Sequence, residues 1–318
     1  MRTRILILVL LTCAGTGITL AQTSPAEIPI AQQAVATLKI PGSADFLVAD
    51  GESVWVTNQG RIEKLQRDQP APVASVSVPI PCGAMEVGFG AIWVANCQDA
   101  SLYRIDRETV RVTATIPTGL ADRRGELSLA VGAGSVWLLT DSAGVLSRID
   151  PITNQVTQQI QVAPNSYAAV FGFGAVWITN TGSASSSGPG SVQRIDPVRN
   201  EVVATIPVGP TPRFLAAGEG GVWTLNQGDG SVSRIDPVSN HVAATIPAGV
   251  VGPGGDIATG GGRVWVRGKK VLLVTINPQS NVVAERYGPP AGSGAVRVAG
   301  NLVWLTAHDI QTVWVLRR

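Results

Sequence analysis

The segments Phe214-Leu-Ala-Ala-Gly218, Gly221-Val-Trp-Thr-Leu-Asn226, Ser231-Val-Ser-Arg-Ile-Asp236 and Val242-Ala-Ala-Thr-Ile-Pro-Ala248 follow one another with only Gly, Pro, Asn and Asp clusters between them. Each is short, β-prone and bounded by turn residues, and none carries a helical period. The central phrase is an apolar residue, a tryptophan, two small or apolar residues and usually Asn. It recurs at Trp55, Trp93, Trp137, Trp177, Trp223, Trp265 and Trp304, at spacings of 38 to 46 residues. Four strands per unit at that period predict a propeller blade, and seven units predict an all-β, seven-bladed β-propeller. A solenoid would need terminal repeats with polar outer faces, and neither end of the repeat array has them.

The two ends predict how the ring closes. The last copy runs Val303-Trp304-Leu305-Thr306 and Thr312-Val313-Trp314-Val315-Leu316 and stops one strand short. Val35-Ala36-Thr37-Leu38-Lys39-Ile40-Pro41 resembles Val203-Ala204-Thr205-Ile206-Pro207 and is expected to supply the outermost strand of the seventh blade, so that no sheet edge stays open between first and last blades. Residues 34–318 then form one propeller, and 22–33 an N-terminal linker.

Residues 1–21 read as a secretory signal peptide, with Arg2 and Arg4, the apolar run Ile5 to Leu11, and a small-residue end at Thr19-Leu20-Ala21. The apolar run is too short, and too interrupted by Gly15 and Gly17, to span a bilayer, and the sequence holds no second candidate. A periplasmic or secreted monomer is expected. Cys13 stands where a lipoprotein cysteine would, but Thr12 before it fits that motif poorly. Without Arg2 and Arg4 the 24 basic residues become 22, equal to the 22 acidic ones. That balance supplies no basic stripe for nucleic acid. A hydrophobic fraction of 45% with only 14% charged residues fits strands buried on both faces.

Export permits Cys82 and Cys97 to be oxidised. A tight turn at Gly88-Phe89-Gly90-Ala91 makes facing residue numbers sum to 179, which sets the two cysteines opposite each other and predicts a disulfide. The Asp150-Pro151, Asp196-Pro197 and Asp236-Pro237 turns, each closed by Asn154, Asn200 or Asn240, join third and fourth strands on the bottom face. They read as hairpin chemistry rather than metal loops. The repeated tryptophans read as wedges between blades.

Trp55-Val-Thr-Asn58, Trp93-Val-Ala-Asn96 and Trp177-Ile-Thr-Asn180, each followed by an Arg-Ile-Asp-Pro type turn and a Thr-Ile-Pro-Val-Gly type strand, resemble the YVTN-repeat family of seven-bladed propellers over essentially the whole mature chain. That resemblance implies the fold and, because the family includes exported binding proteins, a binding role. The repeat is also similar to the streptogramin B (virginiamycin B) lyases, which implies a metal-assisted elimination on a cyclic depsipeptide by His and Glu of one face. Those enzymes carry Glu in the slot held here by Asn58, Asn96, Thr140, Asn180, Asn226, Gly268 and Ala307, none a carboxylate. Of the two histidines, His241 follows a bottom-face turn, and only His308 lies on the top face as a candidate base.

Function is expected where the copies differ. Trp177 to Arg194 spans 17 residues against 11 in three other copies, which places an insertion in Gly182–Gly190 on the top face. A second top-face insertion after Gly119 carries Asp122, Arg123, Arg124 and Glu126. There the arginines either grip an anion or pair with the neighbouring acids. The other singular top-face residues are Asp45, Glu86, Asp141, Tyr167, Arg213, Asp256, Arg267 and His308, several at the starts of inner strands and so aimed at the central funnel. Glu86, Asp141 and Asp256 are candidate ligands for a hard cation such as Mg²⁺. The reading overall is an exported, non-catalytic propeller binding a small molecule, peptide or protein at its top face, with a lyase or hydrolase using His308 as the alternative.

Overall fold

A computed structural model of the chain describes residues 25–118, 128–140, 144–182 and 188–318, together with the backbone but not the side chain of Thr140. Seven four-stranded antiparallel sheets stand around a central axis, and each sheet is one blade. Blade 1 runs from its inner strand Leu47–Asp50 through Ser53–Asn58 and Arg61–Leu65 to the outer strand Ala74–Ser77. The inner strands of blades 2 to 7 are Pro81–Gly88, Ser128–Gly132, Ser166–Gly172, Pro212–Gly218, Asp256–Gly260 and Val296–Ala299. Among the described residues no helix is long and apolar enough to cross a membrane.

The ring closes as the sequence predicts. Ala34–Lys39 is the outer strand of blade 7, antiparallel to Thr312–Arg317, with Thr37 opposite Trp314 and Lys39 opposite Thr312. Lys39 Nζ also donates to Thr312 Oγ1 at 2.7 Å. The stretch expected as a linker is partly structured. Glu27–Pro29 adds a fifth, parallel strand to blade 6, and one helical turn follows at Ile30–Gln33. Burial of Ile30 in the interface between blades 6 and 7 anchors it there.

The core is seven cores. Each boundary between neighbouring blades holds its own apolar cluster, and each cluster contains one of the seven repeat tryptophans. A flat sheet packed on its neighbour at an angle leaves a wedge that widens outward, and an indole on the second strand is large enough to fill it. The indole N–H is satisfied internally. In blades 2 to 6 it donates to the carbonyl five residues back, as from Trp177 to Gly172 O at 3.0 Å, and in blade 1 Trp55 donates to Asp50 Oδ2 at 3.2 Å.

The third strand completes the joint. Arg104, Arg148, Arg194 and Arg234 lie over the tryptophan faces of their own blades, with guanidinium to ring-centroid distances of 5.0 to 5.6 Å. Each then donates from Nη1 to the side-chain oxygen of an asparagine in the next blade's bottom turn, namely Asn154, Asn200, Asn240 and Asn281, at 2.9 to 3.1 Å. All four asparagines have positive φ, near 57°, which Asn adopts at little cost. The Asp-Pro turns are hairpin turns: Asp236 Oδ1 accepts from Val238 N and Ser239 N at 2.8 and 3.1 Å, and these bonds hold its carboxyl below the usual range.

Cys82 and Cys97 form a disulfide, with their Cα atoms 5.7 Å apart. The turn at Phe89 and Gly90, both at positive φ, sets the expected register from Gly88–Ala91 out to Met85–Val94. Beyond Met85 the register departs from expectation. Two extra residues bulge out of the inner strand where Gly83 takes φ 77°, and Pro81 pairs with Asn96. Cys82 is therefore not directly opposite Cys97, and the disulfide crosses the bulge.

Candidate functional site in the central channel

The repeat phrase positions the inner strands through two side chains. In blades 4 and 7 the Thr two residues after Trp reaches back to the start of its own inner strand and across to the next blade. Thr179 Oγ1 accepts from Ala168 N at 3.0 Å and donates to Arg213 O at 2.9 Å. Thr306 Oγ1 accepts from Ala295 N at 2.7 Å and donates to Asp45 O at 2.8 Å, which joins the last blade to the first. The Asn three residues after Trp pins the connection entering the blade. Asn58 accepts from Ser43 N at 2.6 Å and donates to Pro41 O at 2.9 Å, and Asn96 accepts from Ile80 N at 2.9 Å. In blades 1 and 2 the slot in which the lyase resemblance implies Glu is thus occupied by a structural tie. The Thr clamp occurs in blades 1, 4 and 7; between blades 6 and 7 a channel residue, Asp256, binds the inner-strand backbone instead, accepting from Val296 N at 3.1 Å.

The residues facing the axis enclose a cavity of about 180 Å³. The inner-strand residues opposite the tryptophans are Val48, Glu86, Ala130, Val170, Ala216, Ala258 and Arg297. Five are small or apolar and two are charged. Two residues nearer the top stand Phe46, Ala84, Ser128, Ala168, Phe214 and Asp256, which also line the cavity. The wall is aliphatic and aromatic except at Glu86, Asp256, Arg297 and the hydroxyls of Ser128, Tyr167 and Thr259.

Asp256 is buried and fully engaged. Its oxygens accept from Ile257 N at 2.8 Å, Val296 N at 3.1 Å and Arg297 Nη1 at 2.5 Å. Burial nevertheless pushes its pKa above the usual carboxylate value, against the pull of Arg297. Arg297 also donates to Val296 O at 2.8 Å. Glu86 keeps a partial exposure, and that exposure is to the channel. Set back among the wall residues of the channel, its carboxyl is pushed up to about 7 by burial, while the charge of Arg297 and the N–H of Val87 draw it back. Of the three carboxylates expected to face a hard cation, Glu86 and Asp256 line the cavity and Asp141 lies outside the described residues; the guanidinium of Arg297 is paired with Asp256.

Above the cavity lies its mouth, lined by Asp45, Phe46, Tyr167, Arg213, Phe214, Ser293 and His308. Phe46, Tyr167 and Phe214 line both spaces and form an aromatic collar between them. Tyr167 meets Phe214 edge to face with centroids 5.4 Å apart, and Arg213 lies 5.1 Å over the Tyr167 ring. The Nε of Arg213 is buried without a hydrogen-bond partner among the described residues.

His308 sits at the rim, where its Nδ1 is 3.5 Å from Ser43 Oγ and 3.4 Å from Asp309 Oδ1. These residue types are those of a nucleophilic triad, but the geometry is not. A triad needs the acid on one ring nitrogen and the nucleophile on the other, and here both approach the same nitrogen. The other oxygen of Asp309 accepts from Ser293 N at 3.1 Å. Among the described residues no group of three His, Cys, Asp or Glu side chains is arranged to hold a metal ion.

The structure thus brings Asp45, Tyr167, Arg213 and His308 together at the mouth and Glu86, Tyr167 and Asp256 in the channel. Arg267 is not with them. It is fully buried, donating to Thr306 O at 3.3 Å, Gly292 O at 2.8 Å and Gly268 O, and so ties blade 6 to blade 7. Burial draws its pKa down to about 10, with Asp45 and Asp309 opposing. Arg123, Arg124, Glu126 and Asp141 lie outside the described residues, as does most of the Gly182–Gly190 insertion. Sequence reading missed Arg297, Phe46 and Phe214. Counting back seven and nine residues from each tryptophan finds all three, because the hairpin between first and second strands keeps a constant length in all seven blades.

Among solved structures, the virginiamycin B lyase of Staphylococcus aureus is similar at a TM-score of 0.70 and 13% identity, over 89% of this chain and 98% of that one. The chain has the seven-bladed propeller fold of these lyases. Two other rings are also similar. The WD40 domain of Pan2 from Neurospora crassa aligns at a TM-score of 0.71 and 11% identity, over 89% of this chain and 94% of that one. BamB from Moraxella catarrhalis aligns at 0.60 and 15%, over 86% and 82%. At such identities the likeness is one of fold. Residues 49–205 match the profile of a family described as a repeat of unknown function (DUF6923). No curated protein matches the sequence.

Proposed function

We propose that this chain is an exported, non-catalytic binding protein whose central channel takes a small molecule that enters through the top-face mouth. The observation that carries this reading is the placement of Glu86, Asp256 and Arg297 on inner strands, around an apolar cavity of about 180 Å³. The repeat does not call for them. Its joints are made by the tryptophan wedges and the Arg–Asn latches, and five of the seven positions level with Glu86 carry plain small or apolar residues. Charged groups in such a wall reduce stability unless they are compensated, and convergent polar groups in an otherwise apolar pocket are the usual form of a ligand site.

The export signal read in residues 1–21 and the equal numbers of basic and acidic residues support a soluble ligand rather than a polyanion. A lyase role has less support. The slot expected to hold Glu has no carboxylate in any of the seven copies and Asn in four of them, and the side chain of His308 has both its contacts on one nitrogen. If the chain acted like virginiamycin B lyase, incubation with virginiamycin B would consume the antibiotic, and none is expected to be lost.

The test is a thermal-shift screen of a small-molecule library against the protein and its Ala84→Trp variant, whose indole fills the channel. Compounds that raise the melting temperature of the former and not the latter are expected. A screen in which every stabilising compound acts equally on both would remove the channel as the binding site.

A further inference from the structure

We infer that the ligand of the central channel is a small organic monocation, an amine with a body about the size of a phenyl ring, held with its ammonium on Glu86. The inference rests on the channel being the ligand site and names what that site takes.

Charge decides first. Among the described residues three charged side chains line the cavity, two carboxylates and one guanidinium. Arg297 is matched to Asp256 by a bond of 2.5 Å, and Asp256 receives two backbone N–H groups besides. Glu86 has the N–H of Val87, and among the described residues no cation lies within ion-pair distance of it. With all three ionised, these described groups carry one negative charge without a counter-charge among them. A neutral ligand would leave that charge unpaired in an apolar enclosure, and an anion would double it. A monocation cancels it, and the attraction is strong where water is excluded.

Size and wall chemistry narrow the class. A dry cavity of about 150 Å³ holds benzene, so about 180 Å³ admits a phenyl-sized body with a short tether. The collar of Phe46, Tyr167 and Phe214 offers apolar contact and aromatic faces that attract ammonium groups. Arg297 does not repel the cation as a free charge would, because it faces the cavity already bound to Asp256 and to Val296 O.

Proton linkage should mark the binding. The ionisable or charged groups that line the cavity with Glu86 are Asp256, Arg297 and Tyr167. Burial holds the Glu86 carboxyl up at about 7, and a bound cation favours its ionised form. Uptake of an amine below pH 7 must then release a proton, so affinity falls as the pH falls.

Isothermal titration of the full chain with phenethylamine, 2-phenylethanol and 3-phenylpropanoate tests this. At pH 8 the amine is expected to bind at least tenfold more tightly than the alcohol, and to weaken about tenfold at pH 6 as Glu86 takes up its proton. Glu86→Gln, checked for folding by its melting curve, should erase both the preference and the pH dependence. Ala84→Trp should abolish binding. If the alcohol or the acid binds best and Ala84→Trp still abolishes it, the channel stands as the ligand site and the cation assignment falls. Unchanged amine affinity in Glu86→Gln, or no binding by any of the three while the library screen finds a channel ligand, also overturns the assignment. A failure of both experiments removes the site itself.

Discussion

Arg297 donates to Asp256 at 2.5 Å across the boundary between the seventh and sixth blades, and both residues stand on inner strands facing the axis. Arg297 stands at the level of the ring where five of seven positions are small or apolar, and Asp256 two residues nearer the top, so the pair departs from the pattern of the wall. Its energetics are those of a partly buried ion pair. Little stability is gained by having it, but much is lost by halving it.

Arg297→Met is expected to destabilise the fold by about 3–5 kcal/mol at neutral pH, because it leaves Asp256 buried without its partner. Asp256 already has a folded-state pKa above its ordinary value. Its contribution is therefore most favourable below the unfolded-state pKa and is lost as the pH rises through the folded one, so the defect should shrink in acid. Urea unfolding of Arg297→Met, and of Arg297→Met with Asp256→Asn, would check this. The double variant should recover most of the loss.

Glu86 has the same sign. Its pKa rises from an ordinary carboxylate value of 4.5 to about 7, so the folded state holds a proton that the unfolded chain has released. Stability from this group is complete below about pH 4.5 and drains away as the pH rises through 7. Glu86→Gln should remove that drain and raise stability at pH 8 by about 1–3 kcal/mol. Equal stability of the two proteins at pH 8 would mean that the carboxyl is better solvated than its enclosure suggests.

The disulfide joins cysteines 15 residues apart. Closing a loop of that length contributes about 3 kcal/mol by restricting the unfolded chain. Cys82→Ser with Cys97→Ser is expected to lower unfolding free energy by that order, and mass spectrometry with and without reductant reports the bond directly.

Ring closure depends on one N-terminal strand. Deletion of residues 22–41 removes the partner of Thr312–Arg317 and opens a sheet edge. A sharply lower melting temperature and aggregation are expected, and an unchanged melting curve would refute the role given to this strand.

The latch between blades is measurable as a coupling. Arg194 Nη1 reaches Asn240 Oδ1 at 3.0 Å. Arg194→Ala and Asn240→Ala should each cost about 1–2 kcal/mol, and their double-mutant cycle should show a non-additive part of about 0.5–1 kcal/mol. Strict additivity would reduce the bond to a coincidence of packing.

Much of the ring could be read along the chain. A tryptophan buried at every blade boundary must recur at the blade period, and Pro, Asn and Gly mark hairpin turns through backbone preferences that act within a few residues. The strand that closes the ring was readable too, because its sequence copies the outer strands of other blades. Sites resisted reading to different degrees. Asp45, Tyr167, Arg213 and His308 stood out as singular residues and do meet at the mouth. Arg267 stood out equally, yet its side chain turns inward to three carbonyl groups. A lone arginine in the chain shows its charge but not the direction in which it points.

The sequence by itself determined the number of blades, their strand order, the closing strand and the turn chemistry, since each rests on local preference or on periodic burial. Only the tertiary structure decided that Arg297 meets Asp256, that Glu86 shares their cavity without an ion pair of its own, and that Cys82 reaches Cys97 across a bulge. Glu86 in the second blade and Arg297 in the seventh are far apart along the chain and line one cavity because the inner strands of the ring surround a common axis. Charges that face one another around the axis leave no periodic trace, and which of them pair depends on distances set by the packing of the blades.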